Sequence, residues 1–229
     1  MINGYLLVDK PTGISSFGVV AKVRWIIKEA TGQKIKIGHT GTLDPAATGL
    51  LVLVLGKYTK RAGEFSKLDK TYEAELTLGS TSSTGDSEGE ITKTSGQKPT
   101  KVALQAVLSQ FEGQISQTPP IYSAIKVDGQ RAYKMARKGL TPVIESRQIT
   151  IHSIKLTEYS YPIVKLTTEV SSGTYIRTLA EDIGKELSTG AYMSALRRTK
   201  VGKMDIKEAI LLGDIDFAAI AAEIKTTDS

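Results

Sequence analysis

Six consecutive aliphatic residues, Leu50 to Leu55, follow directly on twelve residues that no regular element can hold: Gly38-His39-Thr40-Gly41-Thr42-Leu43-Asp44-Pro45-Ala46-Ala47-Thr48-Gly49. Glycines free the backbone of that stretch and Pro45 removes a hydrogen-bond donor, so it is a shaped loop. The run behind it shows no polar alternation and fits a strand buried on both faces. A loop anchored on such a strand holds its polar side chains on a rigid support, as a catalytic constellation requires. Its one carboxylate, Asp44, is the residue to explain.

Composition narrows the chemistry. The 229 residues are 40% hydrophobic and 24% charged, an ordinary globular balance, and Leu50–Leu55 is far short of the ~20 apolar residues of a membrane span. No basic and apolar leader opens the chain, which makes a cytoplasmic protein the expectation. The absence of cysteine removes disulfides, thiolate metal sites and a thiol nucleophile, and His39 and His152 are too few for a histidine metal centre. The formal charge of +6 is unevenly spread. Six bases against two acids lie between Lys126 and Arg147, and five bases against Asp205 between Arg197 and Lys207, whereas Glu73 to Glu90 carries five acids and no base. Two concentrated basic segments favour a polyanionic partner.

Periodicity and capping signals order the chain. Tyr5–Asp9 reads as a buried strand stopped by Lys10-Pro11-Thr12-Gly13. Ser15 or Ser16 caps a helix with Val19, Val20, Val23, Ile26 and Ile27 on one face, ending near Gly32. Lys57–Arg61 opens a short helix, Tyr72–Leu78 alternates as a half-buried strand, and Gly79–Pro99 reads as a long irregular connection. Thr100 caps a helix carrying Leu104, Val107, Leu108 and Phe111. A strand is expected over Tyr122–Val127, a turn at Asp128-Gly129 and a basic helix over Gln130–Lys138. Ile149–Leu156 and Ile163–Val170 form an antiparallel pair, and Ser171-Ser172-Gly173-Thr174 caps a helix from about Tyr175 to Leu187. Leu196–Lys203 is extended, and a short helix follows Asp205. Hairpin-like strands without strict strand–helix alternation indicate an α+β fold with a mixed, largely antiparallel sheet and flanking helices.

Residue chemistry leaves alternatives open. Asp44 before a proline is a turn residue by composition, or a nucleophile or base; metal ligation would need further acids in the loop. An aspartate kept ionised under a substrate calls for a cation. Arg177 is the candidate, because it occupies the first turn of its helix, where the macrodipole disfavours positive charge; otherwise it is a surface arginine. Tyr72 either packs on the sheet or stacks on a base, and His39 either bonds within the loop or stacks on unpaired nucleotides.

The loop Gly38–Gly49 closely resembles the active-site motif of the TruB-type pseudouridine synthases, which isomerise uridine 55 in the T-loop of tRNA. Gly4–Gly13 is similar to that family's N-terminal signature, Lys70-Thr71-Tyr72 to its tyrosine strand, and Thr118–Gly129 to another of its blocks. Ser172–Leu179 and Leu196-Arg197-Arg198-Thr199 complete the set in family order, so the resemblance spans nearly the whole chain. It implies that Asp44 is catalytic, that Tyr72 stacks on a flipped base and that Arg177 pairs with Asp44. It also implies that His39 fills the vacated place in the T-loop, that Tyr175 and Leu196 line the pocket, and that Asp86 stands near Tyr72. The segment from Pro120 to Gln148, with Lys126 and Arg131, resembles the family's thumb, and Arg197 and Arg198 are expected to touch the RNA. The implied protein is a single catalytic domain over 1–229, monomeric and without the C-terminal RNA-binding PUA domain of many members. It needs no metal or cofactor. Two other functions fit the same resemblance less fully, a T-arm-binding RNA chaperone and a guide-RNA-dependent synthase.

Overall fold

The computed structural model describes residues 2–123, 125–127 and 129–226. In chain order its first elements are β1 (Gly4–Lys10), α1 (Ser16–Thr31), β2 (Ile37–His39), β3 (Thr48–Leu55), α2 (Ala62–Ser66) and β4 (Lys70–Leu78). The middle of the chain forms β5 (Ser80–Ser82), β6 (Ile91–Lys93), α3 (Lys101–Gln110), β7 (Gly113–Gln117), β8 (Lys126–Val127), β9 (Gln130–Arg131) and α4 (Ala132–Ala136). There follow β10 (Arg147–Ser160), β11 (Ile163–Val170), α5 (Ile176–Glu186), β12 (Ala191–Val201), β13 (Met204–Asp205), β14 (Ile210–Leu211) and α6 (Phe217–Glu223). These elements divide into two compact units, one of residues 2–72 with 196–226 and one of residues 73–195. Among the described residues no helix is long and apolar enough to cross a membrane.

The first unit is built on β3. It pairs antiparallel with β1 from Gly4↔Leu55 to Lys10↔Gly49, antiparallel with β2, and parallel with the end of β12 at Arg197↔Thr48 and Arg198↔Gly49. Successive side chains of a strand point to opposite faces. Leu51, Leu53 and Leu55 accordingly join α1 through Val19, Val20, Val23 and Ile27, while Leu50, Val52 and Val54 join Leu7, Phe65 and Val201. Burial on both faces explains why this strand carries no polar alternation. The helix α1 has the expected ends: Ser15 Oγ accepts from the Gly18 amide at 3.0 Å, and Gly32, at φ 70°, returns its amide to the Lys28 carbonyl.

The second unit is antiparallel along β11, β10 and β7, with β10 and β11 forming the expected hairpin. Strand β7 lies outside the sequence expectation: only Gln117 of its five residues is buried, so it has no apolar alternation to announce it. The Gly79–Pro99 connection is not wholly irregular, because β5 and β6 pair across it in a small sheet in which Ile91 is the one apolar residue. The expected strand over Tyr122–Val127 contracts to β8, and the expected helix over Gln130–Lys138 to α4, since Gln130 and Arg131 pair with β8 instead. Of the expected turn at Asp128-Gly129, Asp128 lies outside the described residues. With helices flanking mixed and antiparallel strands, the architecture is α+β as anticipated.

Candidate active site

The loop that carries Asp44 is held by its carbonyls. Lys10 ends β1, is fully buried, and donates from Nζ to the Pro11, Ile14 and Pro45 carbonyls at 2.9, 2.8 and 3.3 Å. The Pro45 carbonyl, next to Asp44, also accepts from the Gly13 amide at 2.9 Å. On the other side of Asp44, the buried Ser16 hydroxyl accepts from the Leu43 amide and donates to the Leu43 carbonyl, both at 2.8 Å. The Asp44 carbonyl closes a tight turn by accepting from the Ala47 amide. The peptides flanking the carboxylate are therefore fixed by groups that are themselves buried, while Asp44 is half-exposed.

Arg198 grips the two ends of the same loop. Its Nε donates to the Leu50 carbonyl at 2.8 Å and its guanidinium to the Gly41 carbonyl at 3.0 Å. Expected to touch the RNA, Arg198 is 2% exposed, and a buried cation placed on two carbonyls acts on the loop. The loop's last glycine answers this contact, because a Cβ on Gly49, at φ 104°, would stand 2.3 Å from the Arg198 backbone oxygen. Lys70, at the start of β4 and two residues before Tyr72, is buried with Nζ on the Ser66 and Leu68 carbonyls. Burial and then the Arg198 charge bring its ammonium down to about 8.

The other expected residues of the first unit sit around this loop. Leu196 offers its carbonyl to Thr48 Oγ1 at 3.4 Å, at the loop's exit. Arg197 stays half-exposed and makes a two-pronged ion pair with Asp9, at 2.7 and 3.2 Å. His39 ends β2, opposite Leu53 of β3, and Tyr72 is buried on its strand.

The second unit gathers Arg177, Asp86 and Tyr175. Arg177 is buried, donates to the Thr84 carbonyl at 3.2 Å and the Tyr122 carbonyl at 3.0 Å, and lies 3.6 Å from the Asp86 carboxylate. Asp86 is fixed in turn, accepting from Thr84 Oγ1 at 2.6 Å and the Glu88 amide at 3.1 Å. The helix that presents Arg177 does not use the Ser/Thr cap expected of it. Tyr175 stands at the cap position, and the buried Gln117 of β7 holds it by accepting from its amide at 2.8 Å and donating to its carbonyl at 3.0 Å. The Arg147 guanidinium lies over the Tyr175 ring, 5.2 Å from its centre, and donates to the Gly173 carbonyl. Lys126 and Arg131 face each other across the β8–β9 hairpin and are exposed.

Lys10, Ser16 and Gln117 are the residues that the sequence reading passed over. A lysine closing an apolar strand just before a proline was the visible signal for Lys10. The sequence around Ser16 signals only a possible cap, and Gln117 acts across a gap of 58 residues that no local pattern encodes. Among the described residues no group of three His, Asp or Glu stands ready for a metal ion.

Comparison with known proteins adds an independent line. The model described as TruB family pseudouridylate synthase (N terminal domain) matches residues 28–176, and that described as tRNA pseudouridylate synthase B C-terminal domain matches 177–228. The tRNA pseudouridine synthase B of Cupriavidus metallidurans is 45% identical over 220 residues, which cover 95% of this chain and 68% of that protein. Its counterpart from an Azoarcus species is 43% identical over 96% of this chain and 72% of its own. A solved chain from a Cbf5-Nop10-Gar1 complex matches 92% of this chain at 31% identity with a TM-score of 0.69. The present chain spans about half of that structure's chain, 53% of it.

Proposed function

Because the chain belongs to the TruB family of pseudouridylate synthases, we infer that it isomerises a uridine of tRNA to pseudouridine, and that the target is uridine 55 of the T-loop. The N1–C1′ bond of the nucleotide breaks, the base turns, and a C5–C1′ bond forms; the C5 hydrogen leaves to solvent while N1 gains a proton. Reaching those atoms requires extruding the nucleotide, at a cost of a few kcal/mol in stacking and pairing. His39 occupies the vacated position, Tyr72 stacks on the extruded base, and Tyr175 and Leu196 line the pocket. Arg177 is the cation that pairs with the Asp44 carboxylate during the reaction. Asp86, already bonded to Arg177, orients that guanidinium. Lys126 and Arg131 on their hairpin, with Arg197, take phosphates of the T-arm, whereas Arg198 acts from within by holding the loop.

The observation that carries this reading is the rigid seat of Asp44, whose neighbouring peptides are clamped by Lys10 and Ser16. Attack or proton abstraction by a carboxylate demands placement within a fraction of an ångström. The test uses T-arm RNA tritiated at C5 of the target uridine, with wild type and Asp44→Asn side by side. Wild type is expected to release tritium to water, and Asp44→Asn to lose at least ~10³-fold in rate while still binding the RNA. Tight binding by both proteins without release from either would replace the enzyme with an RNA chaperone or a guide-dependent synthase.

A further inference from the structure

The outer face of α1 has no part in the chemistry above, and its composition is unlike that of an ordinary solvated helix. Phe17 is 63% exposed and Trp25 61%, and these are the only aromatics among the large exposed hydrophobic residues described. Both lie on this one helix, eight positions apart, or about 12 Å along its axis. Between them the Arg24 guanidinium sits over the Phe17 ring, 5.9 Å from its centre, and is steadied by a bond to the Ile37 carbonyl. Lys28 is exposed one turn beyond Arg24, and Lys34 and Lys36 are exposed in the connection to β2. From Phe17 to Lys36 there are five bases, Lys22, Arg24, Lys28, Lys34 and Lys36, and one acid, Glu29.

Exposed rings interleaved with cations match one class of partner. A base offers a π-face to stack on, and its phosphates meet the cations; stacking of this kind tolerates any sequence. An apolar protein partner would explain the rings but not the charge, which would have to be desolvated or opposed by acids. The stripe is also continuous with the proposed active site. It starts at Phe17, beside the Ser16 that holds Leu43 next to Asp44, and its far cations lead through Lys36 into the strand that ends at His39.

We propose that the outer face of α1, from Phe17 through Arg24 and Trp25 to Lys28, together with Lys34 and Lys36 of the connection that follows it, is a second RNA-contact surface that takes nucleotides of the substrate lying outside the reacting loop. The proposal rests on the tRNA reading above in the identity of its RNA. Its rings stack on unpaired or terminal bases, and its cations engage the adjoining phosphates.

Trp25 is the only tryptophan of the chain, so its emission reports this face alone. Unmodified full-length tRNA transcript is titrated into the whole protein, and Trp25 fluorescence is compared with filter binding on the same samples. Quenching that saturates together with binding is expected. Trp25→Ala combined with Lys28→Ala is expected to weaken tRNA binding about tenfold and to lower the slope of log affinity against log salt by about one. Tritium release at saturating tRNA should be unchanged, since neither residue belongs to the reacting site. Unaltered emission at saturating tRNA would overturn the proposal, as would full affinity and an unchanged salt slope in the double variant. So would emission that shifts with protein concentration in the absence of RNA, which would assign the face to a second copy of the chain. Tritium release by the wild type is scored separately, so failure of the isomerase reading is distinguishable from failure of the α1 surface.

Discussion

Two segments of this chain, the loop 38–49 and the stretch 120–148, each run between strands, yet they are built in opposite ways. In the loop 38–49 the backbone is held by side chains from elsewhere, with Lys10 on Pro45, Ser16 on Leu43 and Arg198 on Gly41 and Leu50. In the segment 120–148 the pairing is mostly local, as two residues of β8 pair with two of β9, a five-residue helix follows, and the Ala132 and Tyr133 amides donate to the Ile125 and Ser123 carbonyls. Its Lys126 and Arg131 are exposed, whereas Lys10 and Arg198, the cations that hold the Asp44 loop, are buried. Buried cations are spent on geometry and exposed ones on capture. The cost of misplacing a reacting carboxylate is paid in rate, while a segment that grips a polyanion needs charge and reach more than fixed coordinates.

The sharpest way to break this contrast is Arg198→Ala. Removing a buried guanidinium that serves two carbonyls is expected to cost about 3 kcal/mol or more in unfolding free energy, read as a fall in the denaturant midpoint. Arg198→Lys should recover only part of this, because one ammonium replaces a planar fork spanning the Leu50 and Gly41 carbonyls. An Arg198→Ala protein as stable as wild type, but weak in RNA binding, would make Arg198 a direct RNA contact instead of a loop clamp.

Ser16→Ala tests the same design at the residue beside Asp44, with a smaller expected effect. Both Leu43 backbone groups lose the hydroxyl, at roughly 1–3 kcal/mol of stability. The loop should loosen where the carboxylate is mounted, so kcat should fall with KM little changed, and Ser16→Thr, which keeps a hydroxyl, should restore most of the rate. A rise in KM at constant kcat would mean that Ser16 supports RNA binding instead of the placement of Asp44.

What could be read in advance follows the same division. Helix α1 was legible because its apolar spacing, Ser15 cap and Gly32 stop agree, and β3 because an unbroken aliphatic run has no other short solution. The hairpin of β5 and β6 was not legible, since Ser80-Thr81-Ser82 and Ile91-Thr92-Lys93 offer no alternation, and their pairing is satisfied by backbone alone. Asp44, Tyr72 and Arg177 stood out through their residue types and the motifs around them. The clamps did not, because a lysine, a serine and a glutamine acquire those roles only when distant chain is brought beside them: Lys10 reaches Pro45 across 35 residues, Ser16 reaches Leu43 across 27, and Gln117 reaches Tyr175 across 58. Arg198 was visible as a base, but a base pattern does not say whether the charge faces water or a carbonyl.

The gentlest expected effect falls on the other side of the contrast. Lys126→Ala and Arg131→Ala remove exposed charges that face each other across a short hairpin, where like charges repel. Stability should therefore move by no more than about 0.5 kcal/mol in either direction. Each loss should nevertheless weaken T-arm RNA binding and lower the slope of log affinity against log salt by about one, with kcat at saturating RNA held. The two observables thus separate the regions. A substitution at the Asp44 clamps moves stability and kcat at constant salt slope, and one on the hairpin moves the slope at constant stability. If Lys126→Ala or Arg131→Ala left the slope untouched and lowered kcat, the hairpin would be part of the machinery that positions the reacting nucleotide, and the division between geometry and capture would run elsewhere in the molecule.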